Sequence, residues 1–452
     1  MSERIRLVEL LRVALEKSGR DQGELEELIT DAEPADIAFS FEEFDPDETI
    51  RLLNRMKPDE AASTLVEMGE EYQREMIART SVVRLQQMVD SLPPDDAADI
   101  YLQLPQSHRL GILASIDTDL ARQIRKLSAY AHETAGSIMT TEFLAVREAD
   151  DMARVLDDAR RGDRVETDRV YVIDAGGKLS GLLSLQDVLQ EDDSERRVAD
   201  VMEDNVLSVH EDDDQEEVVK LATTYGLTTV PVVDDLRRLV GIVTADDLDI
   251  VAEEEVSEDI FRMAGTMARH PTKLPVHRRI LNRFPAMAAT VVIGLTTAQI
   301  LASMSGHDPV AEPSLRVSAI RYVLIVIALA ANVGNLANVV VVRGLATDEL
   351  EHGRLLQPFI GEVLVGLGIG VVCAGLTFAG IALLEPVHWL VLGSVVSLAL
   401  LVASTFAASC GFLLPLLCER VGVDPALAGP LVIALSDLVG TSLYVVTCLA
   451  LL

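Results

Sequence analysis

After Arg283 the chain holds five stretches long and apolar enough to cross a bilayer as helices, a task that takes about 20 residues. That feature excludes a wholly water-soluble fold. Twenty-four uncharged residues lie between Arg283 and Asp308, 21 between Arg321 and Arg343, 22 between Glu362 and Glu385, and 33 between Glu385 and Glu419. The last stretch, from Pro425 to the C-terminus, carries one charge, Asp437. The fourth is overlong, so it is either steeply tilted or ends near Pro415. Lys273, Arg278, Arg279 and Arg283 precede the first span, Arg343 and Arg354 follow the second, and Arg420 follows the fourth. The opposite side offers Arg316 and Arg321. Basic loops stay inside. This predicts a multi-pass protein of the inner cell membrane, with its N-terminus cytoplasmic and, after five spans, its C-terminus outside.

The part before Pro271 has the opposite character. It carries 29 basic and 62 acidic residues, a net −33 out of −34 for the whole chain. A surface this acidic repels phosphate backbones, so nucleic acid is not an expected partner. The N-terminal residues contain no apolar run and do not read as a secretory signal. All four cysteines (Cys373, Cys410, Cys418 and Cys448) lie in the apolar part, with no metal-type spacing. They read as small membrane-core residues rather than a disulfide framework or a zinc site.

Polar groups inside the spans carry the chemistry. Asp437 falls near the middle of the fifth, where a carboxylate is costly and faces a bundle interior or an aqueous path. No lysine or arginine shares that depth, which favours a cation as its partner. In the second span Asn332, Asn335 and Asn338 recur every three residues and line one side of a helix, drifting slowly around it. Their amide oxygens can accept hydrogen bonds from water around a hydrated cation. The competing reading is helix-to-helix glue; beside Asp437 a pore is favoured.

The acidic part shows two internal repeats. Pro58-Asp59-Glu60-Ala61-Ala62 returns 36 residues later as Pro94-Asp95-Asp96-Ala97-Ala98, each followed by apolar residues at helical spacing. This predicts a small α-solenoid to about residue 130. Between 136 and 251 a repeat of roughly 60 residues follows. Tyr171-Val172-Ile173-Asp174 matches Pro231-Val232-Val233-Asp234, and Gly181-Leu182-Leu183-Ser184 matches Gly241-Ile242-Val243-Thr244. Strand, turn, glycine-led strand and acid-bearing helix, kept in the same order twice, resemble a pair of CBS domains. In such pairs the strand-to-helix turn meets a nucleotide, which points to Ser184 with Asp187 and Thr244 with Asp247. Simple N-capping by Ser184 and Thr244 explains the same residues equally well.

An acidic connector follows, with Asp246, Asp247, Asp249, Glu253, Glu254, Glu255, Glu258 and Asp259. Glu255, Glu258 and Asp259 share a helix face, and carboxylates are suitable ligands for Mg²⁺ or Ca²⁺. Divalent ions bridging Asp95 or Asp96, Asp246 or Asp247 and this helix would draw mutually repelling lobes together.

The order of parts resembles the MgtE family of magnesium channels over essentially the whole chain. The most specific points are Glu133-Thr134-Ala135-Gly136-Ser137-Ile138-Met139-Thr140, Arg343-Gly344-Leu345-Ala346-Thr347, and Val423-Asp424-Pro425-Ala426-Leu427 through Gly429-Pro430-Leu431 to Ser436-Asp437. The resemblance implies an α-helical N-terminal superhelix (1–132), an α+β tandem CBS pair (133–251), a connecting plug helix (252–283) and a five-helix transmembrane domain (284–452). It implies a homodimeric pore lined by the second and fifth spans, with Asp437 holding hydrated Mg²⁺ near Asn332 and Asn335. Asp95, Asp247, Glu255, Glu258 and Asp259 fall where the family places regulatory Mg²⁺ ligands. ATP in the CBS pair would implicate Tyr171 and Asp187. One departure stands out: where the family reads Gly-Gly-Asn-x-Gly-x-Gln, this chain has Ala330, Ala331 and Leu336 in place of both leading glycines and the glutamine.

The expectation is a passive Mg²⁺ conductor, closed when Mg²⁺ fills the acidic cytoplasmic sites. Two alternatives stand beside it: a transporter of Co²⁺ or Mn²⁺, and a membrane-anchored CBS sensor that transports nothing. An enzyme is not expected. An intramembrane aspartyl protease needs two carboxylates at one depth, and Glu362 lies at the end of its span, away from Asp437.

Overall fold

The computed structural model describes residues 7–8, 10–12, 29, 32–42, 44–161, 169–190, 196–266, 274–304, 315–347, 350, 355–385 and 387–451. The chain forms two compact units, Met1–Glu253 and Glu254–Leu452. Among the loop charges used above to orient the spans, Lys273 and Arg354 lie outside the described residues, as does the side chain of Arg316.

Short helices follow one another in the first unit: α1 (Pro34–Glu42), α2 (Pro46–Leu53), α3 (Pro58–Val66), α4 (Glu70–Arg79), α5 (Val82–Val89), α6 (Pro94–Gln103), α7 (Gln106–Leu113) and α8 (Thr118–Leu127). Several open on proline, whose missing N–H is no loss in a first turn. The 36-residue repeat is visible as geometry. Pro58 and Pro94 each begin a helix, so Asp95 and Asp96 sit in the first turn of α6 while Ala97 and Ala98 are buried behind them.

The 60-residue repeat gives two three-stranded sheets. In the first, β1 (Ala145–Arg147) leads through α9 (Met152–Arg161) to β2 (Arg169–Ile173), β3 (Leu179–Ser184) and α10 (Leu185–Gln190). In the second, β4 (Val209–His210) leads through α11 (Gln215–Tyr225) to β5 (Val230–Val233) and β6 (Leu239–Val243). Each sheet has a parallel pair followed by an antiparallel hairpin, and the register shifts at Val172/Ile173 and again 60 residues on at Val232/Val233. The two halves exchange parts. Thr140, from the lead-in of the first repeat, trades backbone hydrogen bonds of 2.8 and 3.0 Å with Ile242 of the second. Glu203, from the lead-in of the second, does so with Leu182 of the first at 2.9 and 3.1 Å. Glycine is required at both crossings: a Cβ on Gly181 would stand 2.5 Å from the Met202 sulfur, and one on Gly241 the same distance from that of Met139.

The acidic connector is continuous with the second repeat, because α12 runs unbroken from Ala245 to Met263. Five helices of the second unit are long and apolar enough to span a membrane. They are α13 (Val276–Met304), α15 (Val323–Ala346), α16 (Leu356–Leu384), α17 (Trp389–Arg420) and α18 (Ala428–Leu451), with the short α14 (Leu315–Ile320) leading into α15. The fourth span does not stop at Pro415; α17 continues through it to Arg420. Close backbone approach joins α15, α17 and α18. A Cβ on Gly334 would lie 2.9 Å from Ser436 Oγ and 3.2 Å from the Ala407 carbonyl, and one on Gly411 would collide with the Gly334 carbonyl. Two of the three family departures fit this packing. Ala330 points toward Gly440, where even an added Cβ would remain 3.7 Å away, and Leu336 is wholly buried.

Charges counted above as loop residues prove internal. Arg279 and Arg283, one turn apart on α13, donate to Oε2 and Oε1 of Glu362 on α16, and Glu362 and Arg283 are each only 1% exposed. A carboxylate between two guanidiniums ties these helices together, and removing it would leave two buried cations facing each other. Glu362→Ala is therefore expected to lower stability by about 3–5 kcal/mol, read as a fall in melting temperature of the detergent-solubilised protein.

Candidate functional site

In the membrane unit, α18 carries Asp437 half-buried, with Oδ1 shielded from solvent and without a hydrogen-bond partner among the described residues. The Ser436 hydroxyl beside it, set against Gly334, is in the same state. Four arginines of the described bundle are engaged elsewhere: Arg279 and Arg283 with Glu362, Arg321 with Glu385 at 3.0 Å, and Arg343 with Ser257 at 2.9 Å. Asp437 and the neighbouring Ser436 hydroxyl thus stand without a countercharge among the described residues, at a depth where a carboxylate is costly.

The three asparagines of α15 separate more than their spacing suggests. At 3.6 residues per turn a step of three falls about 60° short of a full turn, so the set winds across the helix. Asn332 is exposed and donates to Thr290 Oγ1 on α13 at 3.0 Å, Asn335 is half-buried, and Asn338 is 5% exposed with Oδ1 unpartnered among the described residues. Asn338 reaches toward α18, its amide nitrogen 3.4 Å from where a Cβ on Gly429 would be.

The first unit gathers a second group of acids. Asp95 and Asp96 in the first turn of α6 meet Asp247 in the first turn of α12, with Asp99, Glu67 and Asp246 close enough to add repulsion. Burial first, then Asp95, Asp99, Asp247 and Glu67, push the Asp96 carboxyl up to about 7. Burial, then Asp246, raises Asp247 to about 7 as well, against the opposing hydrogen bond of 2.9 Å from the Thr244 hydroxyl. Asp95 is raised too, chiefly by burial, and its Oδ1 is buried without a hydrogen bond among the described residues. Asp246 faces solvent. Among the described residues no three acidic, histidine or cysteine side chains are set at the spacing of a closed metal site; the acids are assembled but spread.

On the part of α12 in the second unit, Glu258 is buried and paired with Arg262, Glu255 is half-buried and Asp259 is exposed. Between them Ser257 accepts a hydrogen bond from Arg343 Nε at the end of α15. Nothing in the sequence singled out that contact. The Arg279–Glu362–Arg283 set was also missed, although the four-residue spacing of the arginines and the lone glutamate at a span's edge were signals.

The CBS-type turn places its residues unequally. Tyr171 is 1% exposed, packs edge-on to Phe143 and shares a 2.9 Å hydrogen bond with Thr229 of the second repeat. Asp187 is exposed in the first turn of α10, and the Ser184 hydroxyl accepts from the Gln186 N–H at 3.1 Å. Ser184 therefore caps this turn, as the simpler reading of the sequence has it.

The acid cluster has a consequence for stability. The raised values of Asp96 and Asp247 exceed the ordinary 3.8, so folding favours the protonated carboxyls. Their contribution is complete below about pH 4 and is lost as the pH climbs through about 7. In a chelating buffer the first unit should melt at a lower temperature at pH 8 than at pH 6. A saturating divalent cation should remove most of that difference in a thermal scan.

Comparison with known proteins agrees with these parts. Family profiles match at residues 32–133 (MgtE intracellular N domain), 135–193 and 198–251 (CBS domain) and 323–447 (divalent cation transporter). The magnesium transporter MgtE of Thermus thermophilus is 32% identical over 96% of this chain and 97% of its own length. That of Enterococcus faecalis is 33% identical over 72% of this chain and 70% of its own. Among solved structures, the soluble part of a magnesium transporter matches with TM-score 0.52 and 28% identity, covering 56% of this chain and 99% of that one. The cytosolic domain of the Mg²⁺ channel MgtE in complex with ATP matches with TM-score 0.51 and 32% identity, covering 54% and 99%. With a helical N-terminal domain, a CBS pair and five apolar helices in the same order as relatives matched almost end to end, the chain belongs to the MgtE family of divalent cation transporters.

Proposed function

We propose that this protein conducts Mg²⁺ passively across the inner cell membrane, past Asp437, and that Mg²⁺ bound to its cytoplasmic acids favours the closed form. The observation that carries the reading is the Asp437 carboxylate, partly shielded, with one oxygen unsatisfied and no basic group paired with it among the described residues. Magnesium holds its waters tightly, so the Asp437 oxygens and the amide of Asn335 would meet a hydrated ion. Asn332, bonded to Thr290, would act at the margin. Because Asp437 is only half-covered by its own bundle, a second copy would complete the path, giving a homodimer with α15 and α18 at its centre. The N-terminus lies in the cytoplasm and the C-terminus outside in this reading.

Gating rests on repulsion. Asp95, Asp96 and Asp247 are held together against their charge, with Asp246 beside them, and a divalent ion would relieve what protons relieve at lower pH. Glu255, Glu258 and Asp259 extend the acidic surface along α12, whose Ser257 is bonded to the pore helix α15 through Arg343. A ligand shifts such an equilibrium only by its differential affinity for the two forms. The cytosolic domain of the Mg²⁺ channel MgtE was solved in complex with ATP, which supports nucleotide binding by the first unit; in this reading the nucleotide lies at the CBS pair, near Tyr171 and Asp187.

Three measurements test this. In proteoliposomes, Asp437→Ala should cut Mg²⁺ flux at least about tenfold, the effect of removing one strong interaction along the conduction path; undiminished flux would leave only a membrane-anchored sensor. Competition by Co²⁺, Mn²⁺ and Ca²⁺ in the same assay ranks the alternative cargo. The double variant Asp96→Asn/Asp247→Asn should keep conducting at internal Mg²⁺ that closes the parent, and inhibition identical to the parent's would sink the gating proposal.

A further inference from the structure

The ion set that joins α13 to α16 does not balance. Arg279 and Arg283 bring two positive charges to one carboxylate, Glu362, and no other acid pairs with either guanidinium among the described residues. All three side chains are more than nine-tenths buried, Arg279 at 7% exposed and the other two at 1%. A guanidinium carries its N–H donors on three nitrogens, and Glu362 accepts from one nitrogen of each arginine. Left over, buried and without an acceptor among the described residues, are Nε of Arg279 and both Nε and Nη2 of Arg283. Charged donors withheld from water and left unbonded are costly. The set is therefore complementary to a further anion.

Its place is where the membrane begins. The uncharged run of the first span starts directly after Arg283. Helix α13 has 29 residues, which makes it about 43 Å long against a hydrocarbon core of about 30 Å. Its first two turns, with Arg279 and Arg283, therefore reach headgroup depth, and so does the second turn of α16, with Glu362. The outer side of the pair is apolar and exposed, with Leu281 on α13 and Leu356, Ile360 and Leu364 on α16. Gly361 stands between Ile360 and the buried ion set. A Cβ there would have one neighbour within 4 Å among the described residues, Arg279 Nη1 at 3.3 Å. Seven residues on, on the same face, a Cβ at Gly368 would collide with Ile280. The seam between α13 and α16 is thus closed at Gly368 and open at Gly361, and the opening leads to Arg279.

Basic pockets between membrane helices at their cytoplasmic ends hold lipid headgroups. The geometry points to such a site at this seam, for one anionic phospholipid, its phosphate accepting from Arg279 and an acyl chain lying along Leu356, Ile360 and Leu364. Arg283 and Glu362 are positioning residues that hold the Arg279 guanidinium at the opening. Arg278, exposed beside it, adds only general attraction to an anionic surface. A free phosphate would meet the same donors but would gain nothing from the apolar flank, so the lipid is the favoured occupant. In the orientation proposed above the site belongs to the cytoplasmic leaflet, and it does not depend on which ion the protein carries.

Native mass spectrometry of the full-length protein in detergent, titrated with phosphatidylglycerol or phosphatidylcholine, tests it. Phosphatidylglycerol should be retained as a saturable adduct, and phosphatidylcholine, whose choline offsets the phosphate charge, should bind far more weakly. Arg279→Gln should weaken phosphatidylglycerol at least about tenfold by removing a charge-assisted hydrogen bond, and Gly361→Leu should do the same by filling the approach. Arg278→Gln should stay within about twofold of the parent, since an exposed charge is screened. Gly361→Leu replaces glycine inside a helix and keeps every charge, so its melting temperature without lipid should not fall, and lost binding there reports the site rather than the fold. Phosphatidylglycerol held equally by the parent, Arg279→Gln and Gly361→Leu would overturn the site, as would an equal loss in Arg278→Gln. Equal retention of phosphatidylcholine would overturn the anionic headgroup, and displacement by inorganic phosphate at equal concentration would overturn the lipid.

Discussion

Like charges forced together without a countercharge are the constraint on which the rest of this structure turns. In the first unit Asp95, Asp96 and Asp247 are brought from α6 and α12 into a partly buried group, and the cost shows in raised carboxyls, with Asp96 and Asp247 pushed up to about 7. In the second unit Asp437 likewise has no basic partner among the described residues. The contrast with Glu362 is instructive. That carboxylate is more deeply buried than either, yet it is satisfied by Arg279 and Arg283 and so is structural. What sets Asp437 and the acid cluster apart from Glu362 is therefore not depth of burial but the lack of a basic partner among the described residues.

Helix packing supplies the means. Unpartnered oxygens are tolerated in the membrane unit because α15, α17 and α18 approach closely at Gly334 and Gly411, where van der Waals contact replaces hydrogen bonding as the stabilising interaction. Ser436 is placed by the same contact, and Asp437 follows it by one residue. The peripheral pair α13 and α16 is held differently, by the ion set at one end.

The architecture was legible in the sequence because its signals are long: apolar runs of more than 20 residues, a 60-residue repeat and a 36-residue repeat leave little freedom in how elements are assigned. The residues of the acid cluster were legible as candidates, since proline-led first turns place Asp95 and Asp96 at helix starts. Their proximity to Asp247 was not, because it depends on how α6 and α12 pack. The asparagines show the limit of spacing arguments, as three-residue steps carry Asn332 out and Asn338 in. Arg279 and Arg283 were read as loop charges because the helix that contains them begins earlier, at Val276, than the uncharged run suggests.

The exchanged lead-ins of the two sheets have an implication for the history and engineering of this module. Met139 fills the space left by Gly241, and Met202 that left by Gly181. Each half therefore lacks a piece of its own core and edge pairing, which the other half provides. Such a duplicate cannot be trimmed to one copy, and its two glycines cannot drift separately from the methionines they face. The pair is a single heritable part, in which a change to one repeat is felt first in the other.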